Sequence, residues 1–175
     1  TASNNTAVGN EALYSNTTGT LNVAIGYYAL KSNTTANSNV AVGNEALETN
    51  TTGASNTAIG DEAMEFNTTG SSNVAVGNDA LYSNTTASNN TAVGASALNA
   101  NTDGTRNVAV GAIALDANTT ASDNTAVGYQ ALGNSNSADN AAFGSGALVV
   151  NSTGSENTAL GSGALDANTT GNANT

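Results

Sequence analysis

The stretch Asn56-Thr57-Ala58-Ile59-Gly60-Asp61-Glu62-Ala63-Met64-Glu65-Phe66-Asn67-Thr68-Thr69-Gly70-Ser71-Ser72 decides the fold, because its pattern returns at the same phase along the whole chain. Its first glycine recurs as Gly9, Gly26, Gly43, Gly60, Gly77, Gly94, Gly111, Gly128, Gly144 and Gly161. Successive spacings are 17 residues, except for one step of 16 between Gly128 and Gly144. A fixed period of this size marks a stacked array, in which each unit buries its apolar residues against its neighbours.

The period also selects the secondary structure. Val40-Ala41-Val42 alternates with a period of two and is rich in β-branched residues, which predicts a short strand before each glycine. A helix fails, because apolar residues interrupted by Gly and Asn-Thr-Thr give no 3.6-residue stripe. Ala stands two residues before the glycine in all ten copies, and Ala and Leu follow it by three and four, Met64 being the one exception. The first strand position takes Val or Thr, near-isosteres, so that row is expected to be half-buried. Glycine in ten of ten copies asks for a positive φ or a very close neighbour. The position after Thr-Thr accepts Gly19, Ala36, Gly53, Gly70 and Ala87, so small size is its requirement. The predicted fold is all-β: a parallel β-solenoid of about ten 17-residue coils, one array over residues 1–175. At a strand spacing of ~4.8 Å this is a rod of roughly 48 Å.

Two asparagine rows run through the array. One is Asn5, Asn22, Asn39, Asn56, Asn73, Asn90, Asn107, Asn124, Asn140, Asn157 and Asn174; the other is Asn16, Asn33, Asn50, Asn67, Asn84, Asn101 and Asn118, resuming at Asn151 and Asn168. In stacked coils such amides can hydrogen-bond in ladders. One Val, one Leu and two Ala per coil cannot offset the entropy of ordering 17 residues, so stability must come from adjoining coils and from other chains. The alanine rows, as flat methyl faces, are the expected surface for close sheet-to-sheet approach. The single deletion lies in residues 130–139, where Gly133-Asn134-Ser135-Asn136-Ser137 replaces the usual turn and a shortened turn or small kink is expected.

Composition removes several classes of function. The chain has no Cys, His, Pro or Trp, so a zinc or copper site would need carboxylates alone, and a general base would have to be Asp, Glu or Tyr. A net charge of −11, with only Lys31 and Arg106 as cations, argues against nucleic acid and anionic lipid as partners. No apolar run approaches the ~18 residues of a membrane span. The chain opens and closes inside the repeat, at Thr1 and Thr175, and reads as a piece of a longer protein.

Stacking makes neighbours of residues one coil apart, and candidate sites lie in those columns. Glu45, Glu62 and Asp79 stand on consecutive coils with Asp61 beside them; they are the one candidate metal site, for Ca²⁺, against the plainer reading of a solvated acidic stripe. Arg106 is placed to pair with Asp123, ahead of Asp139 and Glu156. Lys31 lies between Tyr14 and Glu48, which predicts an exposed ion pair and a cation–π contact. None of these columns converges an acid, a base and a nucleophile, so no enzyme and no cofactor is expected. Asn-Thr-Thr at Asn16, Asn33, Asn50, Asn67, Asn84, Asn118 and Asn168 matches the N-glycosylation pattern, although the ladder already accounts for these residues. Stacked Thr17, Thr34, Thr51, Thr68 and Thr85 form a further ladder; adjacent residues face opposite ways, so Thr-Thr offers one outward row to an ice-binding reading.

The phrase Ser38-Asn39-Val40-Ala41-Val42-Gly43, recurring as Ser55-Asn56-Thr57-Ala58-Ile59-Gly60, resembles the Asn-Ser-Val-Ala-Ile-Gly motif of trimeric autotransporter adhesin head repeats. The fuller unit is similar to repeats of phage tail-fibre shafts. The resemblance covers essentially the whole chain and implies a β-roll, three chains side by side as a homotrimer, on a cell surface or virion. It implies the structural shaft of an extracellular fibre that gives reach and attachment to a host or surface receptor. The 17-residue period is longer than that of the adhesin head repeat. The other readings are a self-assembling extracellular filament with amyloid-like Asn ladders and an ice-binding solenoid.

Overall fold

Ten strands of three residues stand where the sequence places them, each ending one residue short of a repeat glycine. They are β1 (Thr6–Val8), β2 (Val23–Ile25), β3 (Val40–Val42), β4 (Thr57–Ile59), β5 (Val74–Val76), β6 (Thr91–Val93), β7 (Val108–Val110), β8 (Thr125–Val127), β9 (Ala141–Phe143) and β10 (Thr158–Leu160). The structure is a computed structural model describing residues 1–175. All ten strands pair in parallel, in chain order, in one sheet. Each coil therefore climbs by one strand and touches only the coils before and after it. Register follows the glycine phase: Ala41 faces Ala58 and Ala58 faces Ala75. The short coil keeps it, with Thr125 facing Ala141.

The ladder does not stop at the strands. Of 108 backbone hydrogen bonds only 18 lie within them; the turns stack as regularly as the sheet. Leu47 N–H donates to the Ala63 carbonyl one coil on (3.1 Å), while Glu45 N–H donates to Tyr27 O one coil back (2.8 Å). Within a coil, Lys31 N–H closes on Tyr28 O (3.0 Å) and Asn33 N–H on Leu30 O (3.1 Å). The second and fourth residues after each glycine are left-handed, as in Glu45 (φ 55°) and Leu47 (φ 53°). This conformation costs an L-residue about 1–2 kcal/mol. It is held because the same residue gives its N–H to a neighbouring coil while the Leu or Met side chain fills the interior.

The repeat glycine answers to both requirements at once. Its φ lies between 132° and 148°, and a Cβ built on Gly43 would stand 2.0 Å from the carbonyl oxygen of Gly60. Gly53 and Gly70, after Thr-Thr, have no positive φ, and Ala36 and Ala87 occupy the same place with little exposure. Small size is what that corner needs.

The interior is narrow and uniform. The strand-centre Ala, the turn Ala and the turn Leu (Met64 once) stack into three rows, fully buried from Ala24 to Leu148. This corrects the expectation for the alanines: their methyls face one another inside the coil and present nothing to another chain. Two small residues are required because strand and turn approach closely across the coil, leaving room for one large side chain. What the sheet turns outward is the residue on either side of the strand-centre Ala, half-buried or exposed.

The asparagines close each coil, in two different ways. In the first row Oδ1 accepts from the backbone N–H of the next Asn in the row, unbroken from Asn5 to Asn174 at 2.8–3.1 Å. Its Nδ2 reaches across the coil to the carbonyl after Thr-Thr, as Asn56 does to Gly70 (2.8 Å). The second row is an amide-to-amide ladder: Asn67 Nδ2 donates to Asn50 Oδ1 (2.8 Å) and shares Gly70 O (3.0 Å). At the short coil this second ladder breaks, because Ser135 stands where an Asn belongs. Ser137 Oγ takes over part of its work, donating to Gly154 O (2.8 Å) and accepting from Asn151 Nδ2 (2.9 Å).

Candidate functional site

The outward sheet face is built from two residues per strand. Along the edge next to the glycines run Val8, Ile25, Val42, Ile59, Val76, Val93, Val110, Val127, Phe143 and Leu160; the parallel row is Thr, Val or Ala. No charged residue lies on this face, although the chain carries 13 acids. All of them stand on the turns and connections. Exposure of Ile59 is 40% and of Phe143 41%, high for apolar residues in a continuous row.

Carboxylates crowd one turn region. The column Glu45, Glu62 and Asp79 lies on consecutive coils, and Glu62, in the middle, is pushed up by partial burial and then by Asp79, Asp61 and Glu45. The oxygens that converge belong to a different trio, however: Glu45, Glu48 and Glu65 lie within 4.8 Å of one another. The turn bond from Glu48 N–H to Glu45 O (3.1 Å) brings those two together, and Glu65 stands one coil on from Glu48. Burial, followed by neighbouring carboxylates, raises Glu48 and Glu65 as well.

The two cations are already engaged. Arg106 meets Asp123 with a two-pronged contact, Nε to Oδ1 and Nη2 to Oδ2, each 2.6 Å. That contact holds Asp123 below the usual carboxylate range. Lys31 Nζ lies 3.0 Å from Glu11 and 3.9 Å from Glu48. It sits 3.4 Å above the ring of Tyr28, and not of Tyr14 as its column predicts. Tyr28 is three residues before Lys31 in the same turn, and the Lys31 N–H to Tyr28 O bond sets that approach. Tyr27 stacks on Tyr28 with centroids 3.7 Å apart, and its phenol O–H, held in a hydrogen bond to Tyr28, is pushed up to about 12.

Hydrogen bonds bear on the threonine and sequon readings. Thr51 and Thr68 turn their Oγ1 onto the carbonyl of the Thr one coil on (3.0 Å in each case), which spends that row on the backbone. The second Thr of each pair, as at Thr52 and Thr69, forms the single exposed row. Asn33, Asn50, Asn67, Asn84 and Asn118 are fully buried with Nδ2 engaged, so the folded coil presents no acceptor nitrogen there.

No pocket indents the surface.

No protein family, curated protein or solved structure matches this chain.

The chemistry available is therefore that of extended rows: an apolar sheet face, a carboxylate-rich turn and a line of hydroxyls. No helix is long and apolar enough to cross a membrane. The sequence located the columns but misjudged which members of adjacent columns meet. The signal for that was present in the three-residue step between Glu45 and Glu48 and between Tyr28 and Lys31, the step a tight turn closes.

Proposed function

We propose that this chain is the structural, non-enzymatic shaft of an extracellular fibre, a phage tail fibre or cell-surface adhesin, giving reach and attachment to a host or surface receptor. The observation that carries this reading is the uncharged β-branched sheet face, which runs the whole length of a rod whose other sides hold all 13 acids. Copies of a chain with net charge −11 repel unless they meet where charge is absent. That face meets the condition, and a homotrimer of side-by-side rods would cover it.

Light scattering tests this directly, because a trimer has three times the 17.0 kDa chain mass. Ile59→Lys places a charge in the middle of the face and should return the protein to monomers while leaving the circular dichroism unchanged. A wild-type chain that is monomeric at all concentrations rejects the trimer. Indefinite polymers would favour the filament, for which the axial Asn ladder is the supporting feature.

A further inference from the structure

We propose that the 16-residue coil encloses one structural water, hydrogen-bonded to Asn118, Asn124 and Ser135. Two buried side-chain atoms in the molecule have no partner: Asn118 Oδ1 and Asn124 Nδ2. Both residues are fully buried, and both adjoin the break in the second ladder. One atom is an acceptor and the other a donor, which is the pair a single water satisfies.

Each orphan has a definite origin in the deletion. In the regular coil, Asn67 Nδ2 donates to Asn50 Oδ1, and Asn56 Nδ2 donates to the Gly70 carbonyl. The counterpart of Asn67 is Ser135, too short to reach Asn118 Oδ1. The carbonyl fourteen residues after Asn124 belongs to Ala138; in the shortened turn it accepts from Asn140 Nδ2 (2.9 Å) and makes no bond to Asn124 Nδ2. Rotating either amide does not help. Asn118 Nδ2 is held by Asn101 Oδ1 (2.9 Å) and Ala121 O (3.1 Å), and Asn124 Oδ1 by Asn140 N–H (3.0 Å).

The repeat itself supplies the distance. Asn151 Oδ1 and Asn157 Nδ2 are the equivalents of the two orphans, two coils further on. They lie 2.5 and 3.0 Å from one common point, a Cβ built on Gly154. That pair is therefore no more than about 5.5 Å apart. Beside Asn118 the equivalent of the common point is the methyl of Ala121, so the water bridging Asn118 Oδ1 and Asn124 Nδ2 lies next to that methyl, in the space left by the missing carboxamide. Replacing a carboxamide by the Ser135 hydroxyl provides room. Ser137 Oγ spends its proton on Gly154 O, so the Ser135–Ser137 contact (3.0 Å) uses the Ser135 proton; of the two Ser135 lone pairs one faces Asn151 Nδ2 at 3.5 Å and the other is open. The water accepts from Asn124 Nδ2 and donates to Asn118 Oδ1 and Ser135 Oγ. Three bonds are the usual complement of a buried water.

The test is a crystal structure of the unaltered chain, with water-to-amide nuclear Overhauser effects in solution. A density peak within hydrogen-bonding distance of all three atoms, and a slow-water signal at the Asn124 side-chain amide absent at Asn56, is the expected result. Ser135→Asn combined with one residue inserted after Asn136 restores the regular coil and should abolish both. The proposal is overturned if Asn124 Nδ2 bonds directly to a protein oxygen, or if its amide shows no more water contact than Asn56. The solution measurement needs only the unaltered chain, so it decides the matter even where the variant fails to fold.

Discussion

At the scale of single residues, four positions separate size, conformation and hydrogen bonding. Gly60 combines φ 144° with a neighbouring Gly77 carbonyl oxygen 2.3 Å from any added Cβ, so Gly60→Ala should cost about 3 kcal/mol or more. Gly70 has an ordinary φ, and Ala36 and Ala87 fill the same corner in other coils. A Cβ on Gly70 would nonetheless stand 2.3 Å from the Ala87 carbonyl oxygen, so Gly70→Ala requires the coil to shift and should cost less than Gly60→Ala without being neutral. Urea denaturation of the two variants side by side checks the contrast. Ser96 sits at the left-handed position that Gly146 and Gly163 fill in the last coils; Ser96→Gly should raise stability by up to about 1 kcal/mol. Asn56→Ala leaves the buried Asn73 N–H without its acceptor, at about 1–3 kcal/mol, and takes one of two donors from Gly70 O, which keeps Asn67 Nδ2; it should be more damaging than Gly70→Ala. The glycine and Asn rows were readable because the chain repeats its own experiment ten times. Leu47 at φ 53° was not: nothing in a leucine announces a left-handed backbone, and the conformation is imposed by the neighbouring coil.

At the scale of the coil, strand existence and register were legible from the glycine phase, as β3 and β4 show. The orientation of the alanines was misread, because a three-residue strand shows too little alternation to say which face is inside. Only the closure of the turn onto the sheet buries Ala58 against Ala63 and Met64. The coil is also the unit of tolerance. Excision of one full period, Asn56 through Ser72, rejoins equivalent positions and should leave the circular dichroism shape unchanged with a lower melting temperature. Excision of eight residues leaves too little chain to stack Asn on Asn and Ala on Ala in that one coil, so the array is interrupted there and the melting temperature should fall well below that of the full-period deletion by the same measurement. The pairing of Lys31 with Tyr28 belongs here too, since a column argument looks along the axis and overlooks partners within one turn.

At the scale of the whole molecule, charge and connectivity take over. Glu48, Glu62 and Glu65 are all raised above the ordinary 4.5, so the folded state holds protons more tightly than the unfolded chain between that value and their folded values. Stability should therefore rise as pH falls from neutrality through that window. Asp123, held low by Arg106, acts oppositely at more acid pH, losing its contribution as pH drops from its unfolded value through its folded one. Melting temperature followed from pH 7 to pH 3 should pass through a maximum in mild acid, and Glu62→Gln should flatten its neutral limb. The in-series connection of the coils has a mechanical consequence. Tension along the axis loads one interface at a time, so the end coil peels while the others remain wound. Each release would pay out 17 residues and lengthen the chain by about 50 Å, a sawtooth that dissipates a sudden pull as a series of small, equal yields.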